Sequence, residues 1–168
     1  RDAGAWAGRV VVESRPEYVS VDSVKTLGEL APLQVALGLE TASDLVRERC
    51  VHKGFAFADY EKAADAVRNA GARVRTYLLL KPPFLTEDEA VKDAIRSVEA
   101  AGRNSEVVSI NALNIQRGTL AERLWRRGEL RPPWLWSAVE VLKQGAEKTS
   151  ARLVCQPTAG GTRRGAHN

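Results

Sequence analysis

The sequence has no methionine, two histidines and two cysteines. Two thiols, Cys50 and Cys155, are too few for a disulfide framework or a cysteine-built metal site, and they fit a reducing, cytoplasmic setting. His52 and His167 stand in no Ser/His/Asp or HExxH arrangement, which excludes those hydrolytic classes. A P-loop and a GxGxxG turn are both missing. So is any apolar run able to span a membrane: the strongest, "TYLLLKPPF", is ended by Lys81, Pro82 and Pro83. Nothing at the start resembles a signal peptide. A chain opening "RDAGAWAGR" without methionine is expected to be a piece of a longer protein.

What is present is an ordinary globular composition. The chain has 168 residues, 44% hydrophobic and 27% charged, enough for one domain with a real core. Its formal charge of +4 gathers late, in "RLWRRGELR" and "TRRGAHN", where clustered cations suit phosphates or simply a solvated basic face.

Strand and helix patterns alternate. Residues 9–13, 33–40, 73–80 and 106–114 read as strands with continuous apolar character, as in parallel sheets covered by helices. Helices are predicted over 21–31, with Val24, Leu27 and Leu30 on one face, and over 59–70, capped by Asp59 and closed by Gly71 at C′. Thr41 with Asp44 and Thr86 with Glu89 read as capping boxes. Beyond residue 118 come two helices split by Pro132 and Pro133, a last strand "ARLVCQP", and a glycine-rich basic tail. The fold class is therefore α/β, either doubly wound or part of a barrel. Residues 1–118 would be the barrel portion and 119–168 a C-terminal α/β extension.

In parallel α/β folds ligands bind beyond the C-terminal ends of the strands. All four predicted ends carry polar groups: Glu13, Ser14 and Arg15; Glu40 and Thr41; Lys81; then Asn111, Asn114, Gln116 and Arg117. Mixed charge at one mouth suits a zwitterionic ligand, or else a network of satisfied ion pairs. Trp125, Trp134 and Trp136 could stack on a base, but an amphipathic helix favours packing them in the core.

The order of these motifs resembles the later half of a radical S-adenosylmethionine barrel of the Elongator catalytic-subunit-like type. "VVVESRPEYV" is similar to its third-strand pattern, "VALGLETASDLVRERCVHKGF" to its fourth, "YLLLKPPFLTEDEA" to its fifth and "SINALNIQRGTLAERLWRRGE" to its sixth. With "RPPWLWS" and the terminal "GGTRRGAHN", the resemblance is to the archaeosine-forming radical enzymes of archaea, over nearly the whole chain. It implies a partial TIM barrel acting on a lysine-bearing 7-deazaguanine in tRNA, with S-adenosylmethionine and a 4Fe-4S cluster as cofactors. A tRNA-guanine transglycosylase-like partner protein is implied as well.

The resemblance assigns Glu13, Arg15, Glu40, Lys53 and Asn111 to the cofactor. Lys81, Asn114, Gln116 and Arg117 would meet substrate, and Arg163, Arg164 and His167 would contact RNA. Bland alternatives are Arg15 pairing with Glu17 and Lys53 as a solvated loop residue. The CxxxCxxC loop that holds the cluster in such enzymes is not in this sequence, so its first strands are expected to lie outside the chain. This chain alone is then expected to lack redox activity. Rival readings are another Elongator-like RNA-modifying enzyme, a non-catalytic RNA- or partner-binding remnant, and a different α/β enzyme using "TAGGTRRG" as a phosphate loop.

Overall fold

Five parallel strands form one sheet whose spatial order follows the chain, β1-β2-β3-β4-β5. They are β1 Val10–Ser14, β2 Leu33–Glu40, β3 Arg73–Leu80, β4 Val107–Ala112 and β5 Arg152–Cys155. The computed structural model describes residues 8–155. A doubly wound sheet reverses its strand order at a switch point. Here every crossover steps the same way, and right-handed crossovers then put every helix on the same face. Of the two topologies open to the sequence, this is the arc of a barrel.

The register separates the two faces. Leu33, Val35 and Leu37 of β2 lie level with Val10, Val12 and Ser14 of β1, and with Val74 and Thr76 of β3. The aliphatic members of this set, with Leu39, Leu78, Leu80, Val108 and Ile110, make up the strand side of the core. Burying each such aliphatic side chain contributes about 1.5–3 kcal/mol. The opposite face carries Glu13, Ala36, Gly38, Arg75, Tyr77, Ser109 and Asn111.

Helices α1 Val21–Gly28, α2 Phe57–Asn69, α3 Glu87–Gly102, α4 Leu120–Arg126 and α5 Leu135–Ala146 complete the fold. α2 packs on β2 and β3, α3 on β3 and β4, and α5 on β5 and α3. The inward stripe of α2 is Tyr60, Ala63, Ala64 and Val67, as its periodicity requires. The Tyr60 hydroxyl, buried by this packing, is hydrogen-bonded to Thr76 at 2.8 Å and Ser105 at 3.1 Å. Gly71 takes φ +80° at the end of α2, where the Gly71 and Ala72 N–H groups donate back to Arg68 and Val67.

The Thr86–Glu89 capping box forms as predicted. The Thr41 box does not. Ser43 caps the next turn instead, and the Thr41 hydroxyl donates to Asp93 on α3 at 3.1 Å. α1 also stops short, at Gly28, so Val24 is buried while Leu27 and Leu30 are exposed. β5, from the stretch beyond residue 118, pairs in parallel with β4 and continues the same sheet.

Candidate functional site at the strand ends

Two of the predicted residues, Glu40 and Arg15, converge on a third, Lys53. Its ammonium donates to the Glu40 carboxylate at 2.7 Å and to the Gly38 carbonyl at 2.9 Å. Its own carbonyl accepts from the Arg15 guanidinium, 2.5 Å away. Arg15 also donates from Nε to Glu17 at 2.6 Å, so its pairing with Glu17 and its place at the mouth are both real. Burial pushes the Glu17 carboxyl up, but its backbone hydrogen bond and Arg15 together hold it below its ordinary value. Lys53 is half-buried and paired rather than free in solvent.

Gly38 makes this arrangement possible. A Cβ there would stand 2.7 Å from the Lys53 Nζ and 3.3 Å from the Glu40 Oε1. Only a residue without a side chain lets the ammonium rest on the strand. Beyond it the ladder to β3 slips by a residue, and Glu40 turns into the left-handed region at φ 68°. A non-glycine residue held there is strained, which surrounding structure must impose. The strand therefore ends in a kink that lifts the Glu40 carboxylate over Gly38.

Glu13 stands on the same face of β1, and its Oε1 accepts from the Tyr77 hydroxyl at 2.8 Å. Burial, then the hydrogen bond and charge of Glu13, push the Tyr77 hydroxyl up. Tyr77 was not singled out from sequence, because an aromatic inside an apolar strand gives no sign of which face it takes. Asn111 lies on this face too, level with Leu79 in the ladder. Asn114 follows β4 with a buried Oδ1 that has no hydrogen-bond partner among the described residues. Gln116 and Arg117 are exposed further along the same loop.

Lys81 does not join this group. It is 8% exposed, takes φ 63°, and donates to Glu87 at 2.5 Å. The other Glu87 oxygen accepts from the Trp134 N–H at 2.9 Å and the Ser137 hydroxyl at 2.5 Å. Burial pushes the Glu87 carboxyl up, but these partners bring it below its ordinary value. The end of β3 is thus tied to the start of α5. A cavity of about 290 Å³ lies beside it, lined by Lys81, Phe84, Thr86 and residues 128–131.

The loop presenting Lys53 is held by a residue that sequence reasoning missed. Arg47 is 1% exposed at the start of a π-helical turn, Arg47–Val51. Its guanidinium donates to the carbonyls of Phe55 and Thr41, pairs with Asp44, and lies 4.9 Å from the Phe55 ring centre. An arginine among charged neighbours in "VRERC" looks like a surface residue. Only the turn buries it.

Among the described residues no three of His, Cys, Asp and Glu lie together as a metal site. Cys50 and Cys155 sit in the π-helical turn and at the end of β5, each a free thiol raised by burial. These residues do not fit a 4Fe-4S cluster. The strand-end group carries carboxylates and cations alternating within a few ångströms, the donor set a zwitterion requires. Arg163, Arg164 and His167 lie outside the described residues.

A sequentially ordered parallel arc of this kind is part of an α/β barrel, and solved radical S-adenosylmethionine enzymes share the fold. The archaeal Methanocaldococcus infernus Elp3, truncated at its N-terminus, superposes with a TM-score of 0.70 at 21% identity, over 90% of this chain and 35% of that one. Coproporphyrinogen III oxidase from Escherichia coli, described as a radical SAM enzyme, gives 0.54 at 14% identity, over 83% and 31%.

The chain's close homologues are archaeosine synthase subunit beta. That of Thermococcus kodakarensis is 49% identical over 95% of this chain and 50% of its own length. That of Methanosarcina acetivorans is 43% identical over 95% and 47%. The chain spans about half the length of these curated relatives. No family model matches it.

Proposed function

We propose that this chain is the later part of a radical S-adenosylmethionine barrel in a tRNA-modifying enzyme. The reaction is the conversion of a lysine-bearing 7-deazaguanine in tRNA to archaeosine. The observation that carries the reading is the Lys53-centred mouth, built at the strand ends of a chain 49% identical to an archaeosine synthase subunit.

Arg15 and Lys53 offer cations to the cofactor's carboxylate, while Glu13 and Glu40 accept from its ammonium or ribose hydroxyls. Asn111 adds an amide on the neighbouring strand, and Asn114, Gln116 and Arg117 extend the rim toward substrate. When bound, the cofactor supplies radical chemistry. The described residues hold no group of ligands for a cluster. The subunit names of the homologues support a partner subunit, which we take to be transglycosylase-like.

Titrating S-adenosylmethionine into the intact enzyme and its Glu40→Gln and Lys53→Ala variants tests the mouth. Each substitution is expected to weaken binding about tenfold, the effect of losing one charge-assisted contact. Unchanged affinity in both variants would refute the site. Retained tRNA binding with no cofactor binding in the wild type would favour a non-catalytic RNA-binding barrel.

A further inference from the structure

The three tryptophans beyond β4 do not pack in the core, as their helical spacing had implied. Trp125 is 42% exposed, Trp134 51% and Trp136 78%. α4, which carries Trp125, buries none of its residues. α5 buries Ser137, Ala138, Val141 and Gly145, leaving the tryptophans at its start outside. The rings of Trp134 and Trp136 nevertheless stand on a fixed turn. Pro132 and Pro133 stiffen the approach, and the Glu87 carboxylate holds the Trp134 N–H and the Ser137 hydroxyl.

The same stretch, residues 117–136, holds five arginines against two glutamates. Arg126 is engaged by Glu122 at 2.7 Å, whereas Arg123, Arg127 and Arg131 are exposed with no ion pair among the described residues. Unpaired guanidinium groups in the same stretch of chain as exposed, pre-positioned indoles match the two chemistries of an RNA strand. Its phosphates attract the cations, and unstacked bases have flat faces for the rings.

We propose that residues 117–136 form an RNA-docking surface, with Arg123, Arg127 and Arg131 on phosphates and Trp134 and Trp136 stacking on unpaired bases. This rests on the tRNA reading above, and Arg123, Arg127, Arg131, Trp134 and Trp136 are none of them residues assigned to the strand-end mouth. The surplus of unpaired positive charge favours RNA over a protein partner here.

The test is the affinity of the intact protein for an unmodified tRNA transcript across a series of salt concentrations. Trp134→Ala and Trp136→Ala should each weaken binding by about fivefold to a hundredfold, given about 1–3 kcal/mol per stacked base. Arg123→Gln and Arg127→Gln should each flatten the slope of log affinity against log salt by about 0.7–0.9. Because these side chains are exposed, melting temperature should not move, and circular dichroism checks that the variants are folded.

A wild type that binds tRNA together with variants of unchanged affinity and slope overturns this surface alone. So does loss of partner-subunit association with tRNA affinity intact, which would make it a protein interface. A wild type without tRNA affinity overturns the proposed function along with it.

Discussion

Replacing Gly38 by alanine puts one methyl group where the Lys53 ammonium rests. The added carbon would stand 2.7 Å from Nζ, closer than any relaxed contact, so the lysine must move. Moving it breaks a charge-assisted hydrogen bond to Glu40 and another to the Gly38 carbonyl. A hydrogen bond to a charged group contributes about 1.5–3 kcal/mol. The pair is about one-fifth exposed, and screening by solvent brings the two bonds together down to about 2 kcal/mol. Alanine in a strand returns about 0.5–1 kcal/mol relative to glycine.

The expected net loss is therefore about 1 kcal/mol, or about 2–4 °C in melting temperature. Lys53→Ala removes the obstacle. In that background Gly38→Ala should be neutral or slightly stabilising, giving a coupling of about 1–2 kcal/mol in a double-mutant cycle. Denaturant unfolding of the four proteins measures it. An equal destabilisation in both backgrounds would refute the claim that Gly38 is there to seat the ammonium.

Asp93 is 3% exposed, and burial raises its carboxyl above the ordinary 3.8 in spite of the Thr41 hydrogen bond. A raised folded pKa means the charged form destabilises the fold as pH climbs from 3.8 through the folded value. Asp93→Asn keeps an acceptor for Thr41, so it should melt at or above wild type near neutrality, with the advantage vanishing in acid. Glu87 is the opposite case. Its lowered pKa contributes stability that is present above the ordinary 4.5 and lost as pH falls through the folded value. Glu87→Gln should cost about 2–3 kcal/mol near neutrality by leaving Lys81 buried without its partner, and the gap from wild type should close in acid. Melting curves from pH 3 to 8 check both.

The sequence shows clearly whatever repeats. The continuous apolar strands and the inward stripe of α2 come through because burial on one side imposes a period. The polar strand ends come through because charges at the tip of an apolar run are conspicuous. Glu40 and Lys53 were legible as separate residues, but not that the lysine would lie across Gly38 onto the glutamate. That contact depends on a ladder slip and a left-handed residue, which leave no compositional trace. Arg47 was hidden for the converse reason, since a charged residue among charged neighbours reads as solvated until a π-helical turn buries it. The tryptophans were misplaced because helical spacing says which residues share a face, and not whether anything covers that face.

Lys53 serves the mouth through two unrelated atoms. Its carbonyl receives Arg15, and every amino acid has a carbonyl. Its ammonium meets Glu40, and only a long cationic side chain can do that. The Arg15 contact is thus indifferent to what residue 53 is, while the Glu40 contact depends on it. A substitution there should change the charge facing Glu40 while leaving the Arg15 contact in place. Residue 53 therefore joins a contact that any side chain preserves to one that only a long cation makes.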